Sequence, residues 1–321
     1  MPTAIVIQHA GGPEVLGVAE VDQPTPAGAE LLVRVAAAGV NFIETYQRSG
    51  YYPVDYPFTP GAEAAGEVVA LGPEASGFAV GDRVAFAEGK GTYAEFTLVE
   101  ADKAVPVPEG VSFETAAALP LQGMTAHYLI NTTFTVQLGQ TVLTHAGAGG
   151  VGLLLIQLLK ARGARVITTV STDNKEALAR EAGADEVLRY EGFDTAVREL
   201  TNGVGVDVVY DGVGRATFDG SLASLRKRGT LVLFGAASGP VPAFDPQRLA
   251  AAGSVHLTRP KLLDHLLTVE ERRWRSSEVF AAVVDGSLKV RIGATYPLAA
   301  AAQAHEDLEA RKTTGKVLLV P

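Results

Sequence analysis

Cysteine is absent from all 321 residues. That excludes disulfides and thiolate metal sites outright. Histidine is sparse: His9, His127, His145, His256, His265 and His305 are the only six, and no two share a close metal-ligand spacing. No bound metal is therefore expected, and each histidine reads as a structural or surface residue. Basic residues are in the minority, 27 against 36 acidic, for a net charge of −9. Neither nucleic acid nor an anionic membrane is expected as the main partner. No uncharged apolar run approaches the roughly 20 residues of a membrane span. The first eight residues carry no basic leader followed by an apolar core, so no secretory signal is read. A cytoplasmic protein is expected.

What is present is a change of period along the chain. Residues 3–7, 30–36, 64–71, 83–87 and 93–99 are short β-rich segments. Turn chemistry separates them, as in Gly11-Gly12-Pro13, Gly72-Pro73 and Gly81-Asp82. This pattern predicts a closed, barrel-like β domain. Residues 113–119 and 125–131 then read as helices. Strands at 141–146, 165–170, 186–188, 206–210, 230–235 and 254–257 alternate with helical or loop crossovers. Such alternation predicts a doubly wound parallel Rossmann sheet, giving an α/β protein. The tail from residue 262 holds two helices and a final strand, 316–320, which is expected to return to the N-terminal domain. The edge strand 254–257 presents an open ladder unless something covers it.

Gly147-Ala148-Gly149-Gly150-Val151-Gly152 lies between the first Rossmann strand and an apolar helix. Strand, glycine turn and helix are the context a dinucleotide-binding motif requires. Gly147, Gly149, Gly150 and the Val151 amide are expected to hold a pyrophosphate at the helix N-terminus. An NAD site usually places a carboxylate at the end of the second strand. Here Val170-Ser171-Thr172 stands there, with Asp173, Asn174 and Lys175 following. Ser171 as donor and Lys175 as counter-charge favour a 2′-phosphate, so NADPH is expected over NADH. The alternative is that Lys175 only begins a solvated helix. Ligands lie beyond the carboxyl ends of parallel strands, which nominates Val213, Phe234, Gly235 and Ser238 as cofactor contacts. Thr125, read as beginning a helix into the Rossmann domain, and Arg259, leaving the last strand, are candidates for the nicotinamide end.

Further segments carry a family resemblance: Ala38-Gly39-Val40-Asn41-Phe42-Ile43-Glu44-Thr45-Tyr46, Arg48-Ser49-Gly50-Tyr51-Tyr52-Pro53, Pro60-Gly61-Ala62-Glu63, Ala117-Ala118-Leu119-Pro120, Tyr210-Asp211-Gly212-Val213-Gly214 and Thr258-Arg259-Pro260. With the glycine turn, these make the whole chain resemble the zinc-free quinone oxidoreductases of the medium-chain dehydrogenase/reductase superfamily, the NADPH:quinone reductase and zeta-crystallin group. The resemblance implies a GroES-like catalytic domain at 1–121 and 260–321 around a Rossmann NADPH-binding domain at 122–259. Zinc-dependent members hold a catalytic zinc at positions matching Asn41 and Ala62, neither a plausible ligand for that site. The resemblance also implies that Asn41 and Tyr46 lie near the nicotinamide and the acceptor, that Tyr190 joins Ser171 and Lys175 at the 2′-phosphate, and that the edge strand pairs across a two-fold as a homodimer.

Without a Lewis acid, an electron-poor acceptor such as a quinone or an activated alkene is favoured over an alcohol. Asn41 could orient the acceptor's carbonyl oxygen, or merely hold its own turn. Tyr46 could place its phenol beside that oxygen, or be a half-buried aromatic with a satisfied hydroxyl. Tyr52 could line the mouth of the site, or pack. Three readings follow: an NADPH-dependent quinone reductase, an alkenal or enone reductase, and a non-catalytic NADPH-binding protein.

Overall fold

The computed structural model describes residues 1–321. The chain divides into two compact units, Met1–Met124 with Thr268–Pro321, and Thr125–Leu267. No helix is long and apolar enough to cross a membrane.

The N-terminal segment forms β1 (Thr3–Val6), β2 (Gly17–Glu20), β3 (Glu30–Val40), α1 (Phe42–Arg48), β4 (Ala64–Leu71), β5 (Arg83–Phe86), β6 (Phe96–Glu100), β7 (Val105–Pro106), α2 (Phe113–Ala117) and α3 (Pro120–Tyr128). A π-helical turn, Leu129–Thr133, ends α3. Thr125 therefore lies inside a helix, not at its start; Pro120, which needs no N–H partner, opens that helix instead.

The second unit alternates strand and helix: β8 (Thr141–Thr144), α4 (Gly150–Ala161), β9 (Arg165–Thr169), α5 (Asp173–Glu181), β10 (Glu186–Leu188), α6 (Phe193–Leu200), β11 (Val206–Asp211), α7 (Phe218–Ser224), β12 (Leu225–Leu233), α8 (Gln247–Ala251) and β13 (His256–Thr258). All pairs are parallel, in the order β10-β9-β8-β11-β12-β13. That is the doubly wound Rossmann order, with its switch point between β8 and β11. Leu143, Ile167, Val209 and Leu231 carry its core with Phe193, Phe218 and Leu222 from the helices.

The chain then adds α9 (Val269–Val284), β14 (Ile292–Pro297), α10 (Ala301–Glu309) and β15 (Lys316–Val320) to the first unit. β15 pairs antiparallel with the far end of β3, with Val317 opposite Val40 and Leu319 opposite Ala38. The sheet runs β14-β15-β3-β4-β5-β7, and β6 takes the other half of the β3 edge that β15 leaves open. No ladder joins β14 to β7, so strand pairing does not close the expected barrel. A buried chain of polar groups ties α10 to α1. Arg48 donates to His305 Nδ1 at 3.1 Å and to Glu309 at 3.0 Å, and His305 Nε2 meets the Tyr93 hydroxyl at 3.0 Å. Arginine can only donate, so Nδ1 is the acceptor and the neutral ring keeps its proton on Nε2. Burial, with the Arg48 charge, pushes the His305 pKa down to about 3.

Candidate functional site

The glycine turn is built by close packing. A methyl group on Gly147 would overlap the Thr168 hydroxyl on β9, and one on Gly152 would overlap the Ala146 carbonyl. At Gly149 the clearance is larger, 3.2 Å to that same carbonyl. Gly149 caps α4 in extended backbone, and no side chain caps the helix. Bonding back along the chain begins with Leu153 N–H to Gly149 O at 3.0 Å. The amides of Gly150, Val151 and Gly152 thus face the helix start with no capping side chain, where the partial positive charge of the helix lies. The turn fits a pyrophosphate.

His145 lies buried beside this turn. Its Nδ1 is 2.8 Å from Thr169 Oγ1 and its Nε2 2.9 Å from Ser221 Oγ. Ser221 donates to Asp211 Oδ2 at 2.8 Å, so it accepts from Nε2–H, and Nδ1 accepts from Thr169. Burial lowers the His145 pKa, against a weaker opposing pull from Asp211. Asp211 also accepts from the Val213 and Gly214 amides at 2.8 and 2.9 Å. A neutral histidine and one carboxylate therefore tie together the carboxyl ends of β8, β9 and β11.

The candidates beyond those strand ends fall into two groups. Ser171 is exposed after β9, and Thr172 caps α5 by accepting from Lys175 N–H at 3.3 Å. Lys175 is half-buried, and Tyr190 stacks on His145 at 6.2 Å between ring centroids. Arg189, missed in the sequence, contacts Asp173 and bonds Glu176 Oε2 at 2.9 Å. In the second group, Ser238 donates its amide and hydroxyl to Val213 O at 2.8 and 2.7 Å, and its Oγ accepts from Ala216 N–H at 2.9 Å. The Ser238 side chain thus ties the loop after β12 to the loop after β11. Phe234 and Gly235 pack against Gly212. Arg259 is exposed, its guanidinium 3.5 Å from the Pro260 carbonyl.

In the first unit, Asn41 and Glu44 begin α1 as the Asn-x-x-Glu spacing suggests, with Asn41 N–H donating to Glu44 Oε2 at 2.8 Å. The Asn41 side chain sits in a buried polar cluster. Its Nδ2 donates to Glu63 Oε2 at 2.9 Å and to Gly39 O at 3.4 Å. Its Oδ1 accepts from Lys316 Nζ at 2.8 Å and Gln122 Nε2 at 3.1 Å. Lysine can only donate, which fixes the amide's orientation. Lys316 also pairs with Glu63, whose other oxygen accepts Leu121 N–H at 2.7 Å. Gly39 is required here, because a methyl there would overlap both charged groups. The long bond to Gly39 O is the only weak one, so that hydrogen is the one an acceptor's oxygen could claim from Asn41.

Glu44 is fully buried, and its Oε1 has no partner. Burial raises its pKa to about 8, against the opposing pull of Lys316 and of the Asn41 amide. Tyr46, two residues on, meets Tyr52 edge-on at 5.4 Å and Tyr51 at 5.7 Å, and its carbonyl accepts Tyr52 N–H at 2.9 Å. Tyr46 and Tyr52 are thus brought together. Lys316 escaped the sequence reading because a lysine opening an apolar strand reads as a solvated end, and Glu63 because its partners lie far off in the chain; Gly39, whose missing side chain leaves room for both, was the available signal.

No group of three or more His, Asp or Glu side chains is arranged to hold a metal ion. Asn41 and Ala62 lack the donors a catalytic zinc needs, so the residues present do not fit one.

Two family models match, an alcohol dehydrogenase GroES-like domain over residues 27–109 and a zinc-binding dehydrogenase over residues 150–272. A quinone oxidoreductase of Pseudomonas aeruginosa is 44% identical over 97% of this chain and 97% of its own. A mycobacterial protein complexed with NADPH superposes with a TM-score of 0.98 at 53% identity, covering 100% of both chains. A 2-haloacrylate reductase of Burkholderia is 38% identical over 100% of this chain and 99% of its own. The chain belongs to the quinone oxidoreductases of the medium-chain dehydrogenase/reductase superfamily.

Proposed function

We propose that the protein is an NADPH-dependent oxidoreductase that reduces a quinone without a catalytic metal. The observation that carries this reading is the uncapped run of amides at the glycine turn, in a chain whose relatives include quinone oxidoreductases and an NADPH complex. When bound, the cofactor supplies a hydride, which with one proton from solvent converts a quinone to a hydroquinone. The Gly150, Val151 and Gly152 amides hold the pyrophosphate. Ser171, Lys175 and Tyr190 take the 2′-phosphate, and Val213, Phe234, Gly235 and Ser238 shape the surface under the cofactor. Thr125 and Arg259 serve the nicotinamide end. In the first unit, Asn41 and Tyr46 position the acceptor and Tyr52 flanks it.

A second reading, reduction of an activated alkene, is favoured by the likeness to a 2-haloacrylate reductase. NADPH oxidation measured against benzoquinone, a naphthoquinone and an enal separates the two. We expect kcat/KM at least about tenfold higher for a quinone, a difference of about 1.4 kcal/mol in transition-state binding. A reversed order would favour the alkene.

The open edge of β13 supports a homodimer formed by pairing two copies of that strand. Sedimentation should give twice the 33.5 kDa chain mass, and a monomer at micromolar concentration would remove the assignment. A cytoplasmic location is part of this reading, supported by the absence of cysteine, and cell fractionation tests it.

A further inference from the structure

We propose that Arg189 selects the phosphorylated cofactor, its guanidinium exchanging Asp173 for the 2′-phosphate. This rests on the NADPH reading above. In a Rossmann sheet the ribose 2′ group lies at the end of the second strand, which is β9. β10 pairs with β9 so that Leu188 stands opposite Thr169. Arg189 therefore emerges beside the end of β9. Its contacts with Asp173 and Glu176 place the guanidinium on the first turn of α5, the turn that also carries Lys175.

The existing partners of Arg189 are ready to be exchanged. The Asp173 side chain is fully exposed, and Arg189 is 39% exposed. Such solvated pairs are worth little. Glu176 keeps a second cation if Arg189 turns away, because Arg180 bonds it at 2.8 Å. A phosphate dianion offers a guanidinium two parallel charge-assisted bonds, a better partner than a carboxylate held in water. Before the cofactor arrives, Arg189 pairs with Asp173, whose charge would repel a 2′-phosphate. Once Arg189 turns to the phosphate, the fully exposed Asp173 carboxylate is screened by water, and Lys175, Arg180 and Arg189 against Asp173 and Glu176 leave the patch at +1 (three minus two).

The test is calorimetric titration of the full chain with 2′,5′-ADP and with 5′-AMP. The unsubstituted protein should prefer 2′,5′-ADP; no preference would overturn both the cofactor reading and this proposal. Arg189→Leu should weaken 2′,5′-ADP by about tenfold or more and leave 5′-AMP within about twofold. Arg189→Lys should keep part of the preference, having the charge without the fork. Asp173→Asn should tighten 2′,5′-ADP, since it removes the competitor. If the unsubstituted protein discriminates and Arg189→Leu discriminates equally well, or if both ligands weaken together, Arg189 has only a structural role and the proposal fails.

Discussion

Lys316→Met should cost about 3–5 kcal/mol of stability in the first unit. The ammonium is buried, as is the Glu63 carboxylate it neutralises. A methionine fills similar space but leaves the Glu63 carboxylate with the Asn41 amide and the Leu121 N–H as donors. Removing one partner of a buried pair is expensive because the other charge stays desolvated. Asn41 loses a donor in the same step, so kcat/KM should fall as well. Trp274 is the only tryptophan and lies on α9 of this unit, so its fluorescence in a urea titration reports the transition. Adding Glu63→Gln should recover much of the loss, since a neutral pair has no charge to strand. A loss below about 1 kcal/mol would mean that water reaches the ammonium.

The parallel strands were the most legible part of the molecule. The 186–188 strand, and the antiparallel 64–71 strand, match the structure, because apolar runs bounded by turn residues leave little room for another period. The strand expected at 230–235 is β12, but its start was hidden: it begins at Leu225 and runs through Arg226, Lys227 and Arg228, where charge argues against a buried strand. The exposed β2 carries only four residues, and β14 lies half-exposed along its length; both were missed for want of an apolar face. β3 continues to Val40 through Ala36, Ala37, Ala38 and Gly39, small residues of low strand preference. At Gly39 the reason is local, since the Glu63 and Lys316 side chains fill the space above it. The glycine turn could be read because its physics is written in adjacent residues. The Asn41 cluster could not, because its members come from β3, α1, the segment before β4, α3 and β15. Arg189 was lost for a related reason, being brought to Asp173 only by strand pairing.

Glu44→Gln should stabilise the protein, and the gain should grow with pH. In the unfolded chain Glu44 ionises near 4.5, while in the folded chain burial holds it protonated to about 8. Between those values the folded state retains a proton that the unfolded state has released, so this residue's contribution to stability is lost as pH rises. Each pH unit is worth about 1.4 kcal/mol, which places the cost at roughly 3 kcal/mol at pH 7. Glutamine retains an oxygen to accept the Asn41 amide, so the start of α1 survives. The difference between variant and parent should be small at pH 4.5, widen up to about pH 8 and then level off. The comparison isolates Glu44 because His145 and His305 act in the opposite direction: both pKa values are lowered, so their stabilisation is complete above about 6.5 and declines below it. Those two histidines are common to variant and parent and cancel in the difference. A difference that does not change with pH would show that Glu44 is ionised in the folded protein. The orphaned Oε1 would then carry a buried charge with no partner on that side, which folded proteins rarely sustain.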